Sequence, residues 1–360
     1  DLVDFSGHDV RVMPADGHTI GHIAYHIPDA KAAFTGDSLM ALGCGRLFEG
    51  SAEQMWSTLS QLAGLPGDTL ICSGHEYTAA NARFALSVPE QALQVSASRP
   101  YPALPGTLSA TLTVANEISD AFEAQSVEVG LGLSKFWFDR KLETGIGVGL
   151  NYSQIEDAGV ESEFTYLKVP AVAVWNNSND LLNPTSGFKI STSLTPFFGD
   201  VNFLQARISG QTRHAFGEDA RFILAGRGTI GTSFGIDRDS IPATERFFAG
   251  GGGSVRGFAF QEAGPLDAEL DPIGGASVLE VNLEGRVRVR DKIQIAAFVD
   301  AGTVSENDVP NFSEEAFVGA GLGVRYATPI GPLRVDVATP LNPRPTDDPI
   351  QFYIALGQPF

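Results

Sequence analysis

Two stretches of this chain hold residues whose types and spacing could do chemistry. The first is an ordered set near the start: Asp16-Gly17-His18-Thr19-Ile20-Gly21-His22, then Phe34-Thr35-Gly36-Asp37, then Gly43-Cys44-Gly45-Arg46-Leu47-Phe48-Glu49-Gly50, then Gly74-His75-Glu76-Tyr77-Thr78. Imidazoles and carboxylates are the groups that hold divalent cations beside a water molecule. Each piece alone is unspecific; their order carries the weight. The second stretch is RFFAGGGGSVRGF, from Arg246 to Phe258, where four consecutive glycines permit a tight return that bulky residues would block. On its residues alone it also reads as a flexible surface loop. Elsewhere, His8 has no assignable role, His22 and His26 read as structural or supporting, and His214 sits near a strand end.

The elements that must position these groups change character along the chain. Residues 1–92 have α/β texture, with a short apolar run ending at Ile71. Ser51 and Gln54 form a capping-box start for a helix that carries Met55, Leu59 and Leu62 and stops at Gly64. Residues 93–106 (LQVSASRPYPALPG) hold three prolines and no periodicity, which predicts a linker. Beyond it the period becomes 2. Val127, Val129, Leu131 and Leu133 alternate with Glu128, Gly130, Gly132 and Ser134, and near the end Val318, Ala320, Leu322 and Val324 oppose three glycines and Arg325. About twelve strands are expected, from 108–118 to 350–360, with the widest gap between the seventh (220–234) and the eighth (277–289).

A soluble sandwich would alternate in the same way. Strand length, aromatic clusters near strand ends (Phe136-Trp137-Phe138, Trp175, Phe197-Phe198) and the final Phe360 favour a membrane barrel, and Arg286, Arg288 and Arg290 suit a watery interior. No run of about 18 apolar residues exists to make a spanning helix, whereas 40 glycines and 24 phenylalanines suit many short strands. A formal charge of −19 argues against a nucleic-acid partner, which would need clustered Lys and Arg. Two cysteines, Cys44 and Cys72, set no disulfide framework. The chain opens at Asp1 with neither Met nor an export leader, so a mature, processed or truncated start is expected.

Val255-Arg256-Gly257-Phe258 resembles the VRGF motif in the sixth extracellular loop of the BamA and TamA superfamily, the bacterial surface antigen family, and is closest to TamA. In that family the loop folds back into the lumen, and its arginine meets an acid on a wall strand with an FxDxG pattern, matched here by Phe298-Val299-Asp300-Ala301-Gly302. Asp300 would then accept Arg256 bidentately. The resemblance covers roughly residues 107–360 and includes GPLDAELDPIGG, YATPIGPLRVDVATPLN and a terminal strand like the family's C-terminal recognition signal, with Phe352, Ile354, Leu356 and Phe360 on one face. Relatives have about sixteen strands preceded by periplasmic POTRA domains. The resemblance therefore implies a partial antiparallel transmembrane barrel that begins at the family's fifth strand, and a seam left open between the strand near Leu108 and the last one.

The front set resembles the second half of the metallo-β-lactamase-fold domain of hydroxyacylglutathione hydrolase, glyoxalase II, over about residues 8–90. The resemblance implies that His18 would ligate one zinc or other divalent metal, Asp37 would bridge two, and His75 would ligate the second, with Arg46 and Tyr77 at the glutathione moiety. Phe48 stands where relatives often carry Tyr, and Ala15-Asp16 replaces their Thr-Pro. The family's HxHxDH motif, which supplies four further ligands, belongs upstream of Asp1 and is absent from the sequence. So is the helical substrate domain.

The resulting expectation is a mainly β chain in three parts: a truncated α/β half domain at 1–92, a linker at 93–106 and an outer-membrane barrel at 107–360. Its function would be insertion, assembly or translocation of other proteins. The expected partners are outer-membrane lipid, client outer-membrane or secreted proteins, and the barrel assembly machinery through the C-terminal strand. The alternative is a hydroxyacylglutathione hydrolase fragment, cytoplasmic by its chemistry, attached to a barrel. Both pieces are cut within a domain and their compartments conflict, which points to joining by truncation, gene fusion or assembly error and to an inactive front piece.

Overall fold

The computed structural model describes residues 2–5, 7–40, 43–44, 47–67, 69–74, 90–101, 106–180, 183–217, 220–310, 316–328 and 331–358. The chain divides into two compact units, Asp1–Gln91 and Ala92–Phe360.

In the first unit, strands β1 (Leu2–Phe5), β2 (His8–Pro14), β3 (Ile23–Ile27) and β4 (Ala32–Gly36) form an antiparallel run. The short pair β5 (Leu39–Met40) and β6 (Gly43–Cys44) follows, then helix α1 (Ala52–Ala63) and strand β7 (Leu70–Ser73), which adds parallel to β4. The expected capping box is present: Ser51 Oγ accepts from the Gln54 N–H and Gln54 Oε1 from the Ser51 N–H. The helix buries Met55, Thr58 and Leu62. Thr58 takes the place expected of Leu59 because its hydroxyl donates to the Asp16 carbonyl at 2.7 Å, tying the helix to the loop that carries His18.

The second unit is one fourteen-stranded antiparallel sheet. Its strands are β8 (Glu90–Tyr101), β9 (Gly106–Ile118), β10 (Glu123–Trp137), β11 (Leu142–Asp157), β12 (Val160–Lys168), β13 (Ala171–Asn176), β14 (Gly187–Gly199), β15 (Phe203–Phe216), β16 (Phe222–Phe234), β17 (Ser277–Arg290), β18 (Ile293–Ser305), β19 (Phe317–Thr328), β20 (Gly331–Pro340) and β21 (Gln351–Leu356). Neighbours in sequence are neighbours in space, with β12 and β13 sharing one lane between β11 and β14.

Three differences from the sequence reading have physical causes. The expected linker is largely strand β8, on the sheet's edge beside β9; an edge tolerates Pro100, which lacks an N–H for a second neighbour. The strand expected at 164–176 is two, broken at Pro170, and the lane stays bonded through Gly147 N–H to the Pro170 carbonyl at 2.8 Å and Val169 N–H to the Pro196 carbonyl at 3.0 Å. The last strand ends at Leu356 among the described residues, so Phe360 lies outside them. Among the described residues no ladder joins β21 to β8 or β9.

The polarity of this sheet decides between a sandwich and a membrane barrel. Val129, Leu131, Ile146, Leu150, Leu283 and Leu322 are each more than half exposed, whereas Glu284, Arg286, Asp300, Arg325 and Asp336 are at most 1 % exposed. A soluble sandwich would bury the apolar face. An outward apolar band around a charged interior is the pattern of a sheet whose solvent is hydrocarbon.

Candidate functional site

The segment between β16 and β17 is not a flexible surface loop. Short 3-10 turns at Arg238–Ser240 and Ala243–Glu245 lead into the VRGF stretch, whose Val255, Arg256 and Phe258 are buried to 1 % exposure or less. Val255 and Phe258 pack with Phe247, Ala249, Ala263, Val278 and Val304, and Phe317 meets the Phe258 ring edge-on at 5.2 Å. Gly319 on β19 makes this approach possible, because a Cβ there would fall on the Arg256 carbonyl oxygen. Gly257 sits at φ +114°, a backbone shape that glycine adopts without strain.

Arg256 enters a closed network. Its Nε and Nη2 donate to the two oxygens of Asp300 at 2.6 and 3.0 Å, and its backbone N–H donates to Asp300 Oδ2 at 3.1 Å. Nη1 donates to Glu284 at 2.7 Å and to Asp336 at 3.3 Å, and the guanidinium lies 3.4 Å over the Phe298 ring centroid. Arg325 links Glu284, at 3.0 Å, to Asp336, and Arg286 Nε donates to Glu284 at 2.6 Å. Burial alone would make the Arg256 proton easier to lose; the Asp300 and Glu284 carboxylates outweigh that and hold it above its ordinary pKa. Register explains the convergence: Glu284 pairs with Phe298, which pairs with Gly321, and Arg286 pairs with Ala296, which pairs with Gly323 opposite Asp336. Small inward residues on β18 and β19 leave the room that the guanidinium fills.

Sequence reasoning brought Arg256 and Asp300 together but missed Glu284, Asp336 and Tyr353. Tyr353, on β21, donates its hydroxyl to the Phe258 carbonyl at 2.7 Å and accepts from the Gly257 N–H at 2.9 Å, so the last strand is tied to the VRGF turn. Strand parity, with Phe352 and Ile354 outward, was the available signal for an inward Tyr353. At the loop's near end, Glu245 accepts from the Tyr166 hydroxyl at 2.9 Å and Arg246 pairs with Asp157 at 2.7 Å. Of the arginines expected in the interior, Arg286 is buried, Arg288 half-buried and Arg290 exposed at the strand end.

In the first unit, His18 leaves the β2–β3 loop and Asp37 follows β4, bringing His18 Nε2 to 3.5 Å from Asp37 Oδ2. Gly74 N–H donates to the Gly36 carbonyl at 2.7 Å, holding the end of β7 against that of β4. His22 Nε2 accepts the Asp37 backbone N–H at 3.3 Å, a structural role, and Phe48 packs edge-on against His18 at 5.1 Å. His75, Arg46 and Tyr77 lie outside the described residues. Among the described residues no three His, Cys, Asp or Glu side chains converge on one point. Catalytic zinc usually takes three protein ligands, so the described groups do not complete a metal site.

Comparison with known family models divides the chain between residues 75 and 78. A metallo-β-lactamase superfamily model matches residues 1–75. The hydroxyacylglutathione hydrolase of Roseobacter denitrificans is 71 % identical over 85 residues, which are 24 % of this chain and 33 % of that protein. The chain thus spans about a third of the length of the curated relatives it matches. Among solved structures, BamA from Haemophilus ducreyi lacking POTRA domains 1–3 superposes with a TM-score of 0.62 at 18 % identity, covering 73 % of this chain and 61 % of that one. CdiB from Acinetobacter baumannii gives 0.52 at 15 % identity, over 75 % and 50 %. These two likenesses are of fold. The Omp85 superfamily domain matches residues 78–360, the greater part of the sequence, and the chain belongs to that superfamily.

Proposed function

We propose that this chain acts in the bacterial outer membrane as a barrel that inserts, assembles or translocates other proteins. The observation that carries the reading is the VRGF loop held inside the sheet by Arg256 and Asp300 while also gripping the edge strand β21 through Tyr353. A sheet with a lipid-facing exterior needs every edge N–H and C=O satisfied, since each unmade hydrogen bond in hydrocarbon costs several kcal/mol. An edge paired on one side is therefore a place where another strand gains by binding. On this reading the partners are outer-membrane lipid, client outer-membrane or secreted proteins, and the assembly machinery that recognises the terminal strand.

The test is reconstitution of the full chain in liposomes, scoring protease-resistant insertion of an unfolded client barrel against empty liposomes. Faster insertion is expected. Equal insertion in both vesicles refutes the proposal. In the first unit His18, Asp37 and His75 are the residues that would hold zinc, which supplies an activated water to the relatives' reaction. We propose that this unit is catalytically silent here.

A further inference from the structure

We propose that the barrel interior holds a small phosphate-type oxyanion between Arg213 on β15 and Arg286 on β17. The two side chains are 5 % and 1 % exposed. Arg286 spends its Nε on Glu284, and neither of its terminal nitrogens finds an acceptor among the described residues; nor does Arg213 Nε. A guanidinium keeps its proton, so neither group escapes the cost of burial by neutralising.

The backbone sets the two arginines toward one spot. Arg213 pairs with Ala225, which pairs with Glu284, and Arg286 stands two residues further along the same face, opposite Ile223. Their Cα atoms are thus two strand spacings across, about 10 Å, and two residues along, about 7 Å. That separation lets two arginine side chains meet an anion from both sides. Ala225 and Ile223, 1 % and 2 % exposed, form an apolar floor that weakens screening. Two like charges that converge across a single intervening strand over an apolar floor repel one another.

Charge balance points the same way. Among the described residues of this unit, the buried charged ones are five arginines (Arg213, Arg256, Arg286, Arg325, Arg334) and four carboxylates (Glu280, Glu284, Asp300, Asp336). A tetrahedral oxyanion brings negative charge and several acceptor oxygens to donors that the protein leaves unmatched, in the geometry guanidinium recognises. A lipid headgroup is disfavoured because both arginines face the interior at almost no exposure. Water alone would satisfy the donors without relieving the repulsion.

The experiment uses the full chain folded in detergent, heated in sodium phosphate or in sodium chloride at matched ionic strength and pH 7. The readout is the temperature at which the compact, fast-migrating gel form is lost. Phosphate and sulfate should raise the midpoint saturably by a few degrees over chloride. Arg213→Gln should remove that rise while leaving the chloride midpoint equal or higher, because the repulsion with Arg286 is gone. An equal rise in the variant, or the same midpoint in chloride and phosphate, overturns the proposal. Line broadening of phosphate in ³¹P spectra by the wild-type chain, competed by sulfate, reads binding without any variant, and its absence is equally fatal.

Discussion

Arg256→Ala is the most informative perturbation of the interior network, because its partners are not equally dependent on it. Glu284 keeps Arg286 and Arg325, and Asp336 keeps Arg325 and Arg334. Asp300 loses both guanidinium hydrogen bonds described for its carboxylate and keeps only the one from the backbone of residue 256. The backbone N–H of residue 256 survives the change, but the bidentate pair and the Phe298 stacking do not. Stranding a buried charge of this kind costs about 3–5 kcal/mol. Asp300→Ala should cost less, about 1.5–3 kcal/mol, because Arg256 still reaches Glu284 and Asp336 at 2.7 and 3.3 Å. The double variant removes the stranded carboxylate along with its partner, so its loss should fall short of the sum by about 1–3 kcal/mol. Urea unfolding in lipid vesicles, followed by tryptophan fluorescence and by the gel shift on boiling, measures all four chains. Additivity within about 0.5 kcal/mol, or a larger loss for Asp300→Ala than for Arg256→Ala, refutes this account of the network.

Other outcomes follow from single contacts. Tyr353→Phe deletes the hydroxyl that holds the VRGF turn and should cost about 1–2 kcal/mol, with faster amide exchange confined to β21 and the turn; unchanged protection of β21 would show that the strand is held otherwise. Gly319→Val places side-chain atoms on the Arg256 carbonyl, so the loop should become protease-sensitive while the sheet still migrates as a folded barrel, and a protected loop contradicts the docking geometry. The chain should not hydrolyse a hydroxyacylglutathione thioester, because among the described residues only His18 and Asp37 come together, short of the three ligands that catalytic zinc usually takes. A turnover abolished by Asp37→Ala would overturn that expectation.

The sheet was legible because its two faces meet different surroundings, and residue choice records the difference at every second position. Where that record is overwritten, the reading failed. In β8 the alternation of Leu93 and Val95, both 57 % exposed, with Gln94 and Ser96 is present but short, and the prolines that follow it outweighed it. Pro100 stands at the end of an edge strand. Pro170, inside an alternating run, was the sign of the β12–β13 break. The interior was legible only where a motif named it: VRGF and FxDxG led to Arg256 and Asp300. The acids Glu284 and Asp336 sit on the correct face by parity, yet their meeting depends on the curl of four strands, which no local pattern encodes. Tyr353 meets a carbonyl 95 positions away.

The exposure of β21 bears on how a further strand could join it. Ile354 and Phe352, at 76 % and 70 %, are the most exposed large hydrophobic residues described, above the roughly half-exposed outward residues of the interior strands. A strand with neighbours on both sides is shielded along both flanks, so the excess fits a strand covered on one flank. Its ladder to β20 runs from Ala338↔Gln351 to Leu333↔Leu356 and fixes which residues face out. Tyr353 then fixes depth, because its hydroxyl must stay level with the Gly257–Phe258 turn. An added strand therefore meets an edge of set parity and set height, and must bring its apolar residues to the side of Phe352 and Ile354. A slip of one residue would turn that face into the charged interior. The loop thus bears on register at an edge it does not itself pair with, and the route of that influence is one tyrosine hydroxyl.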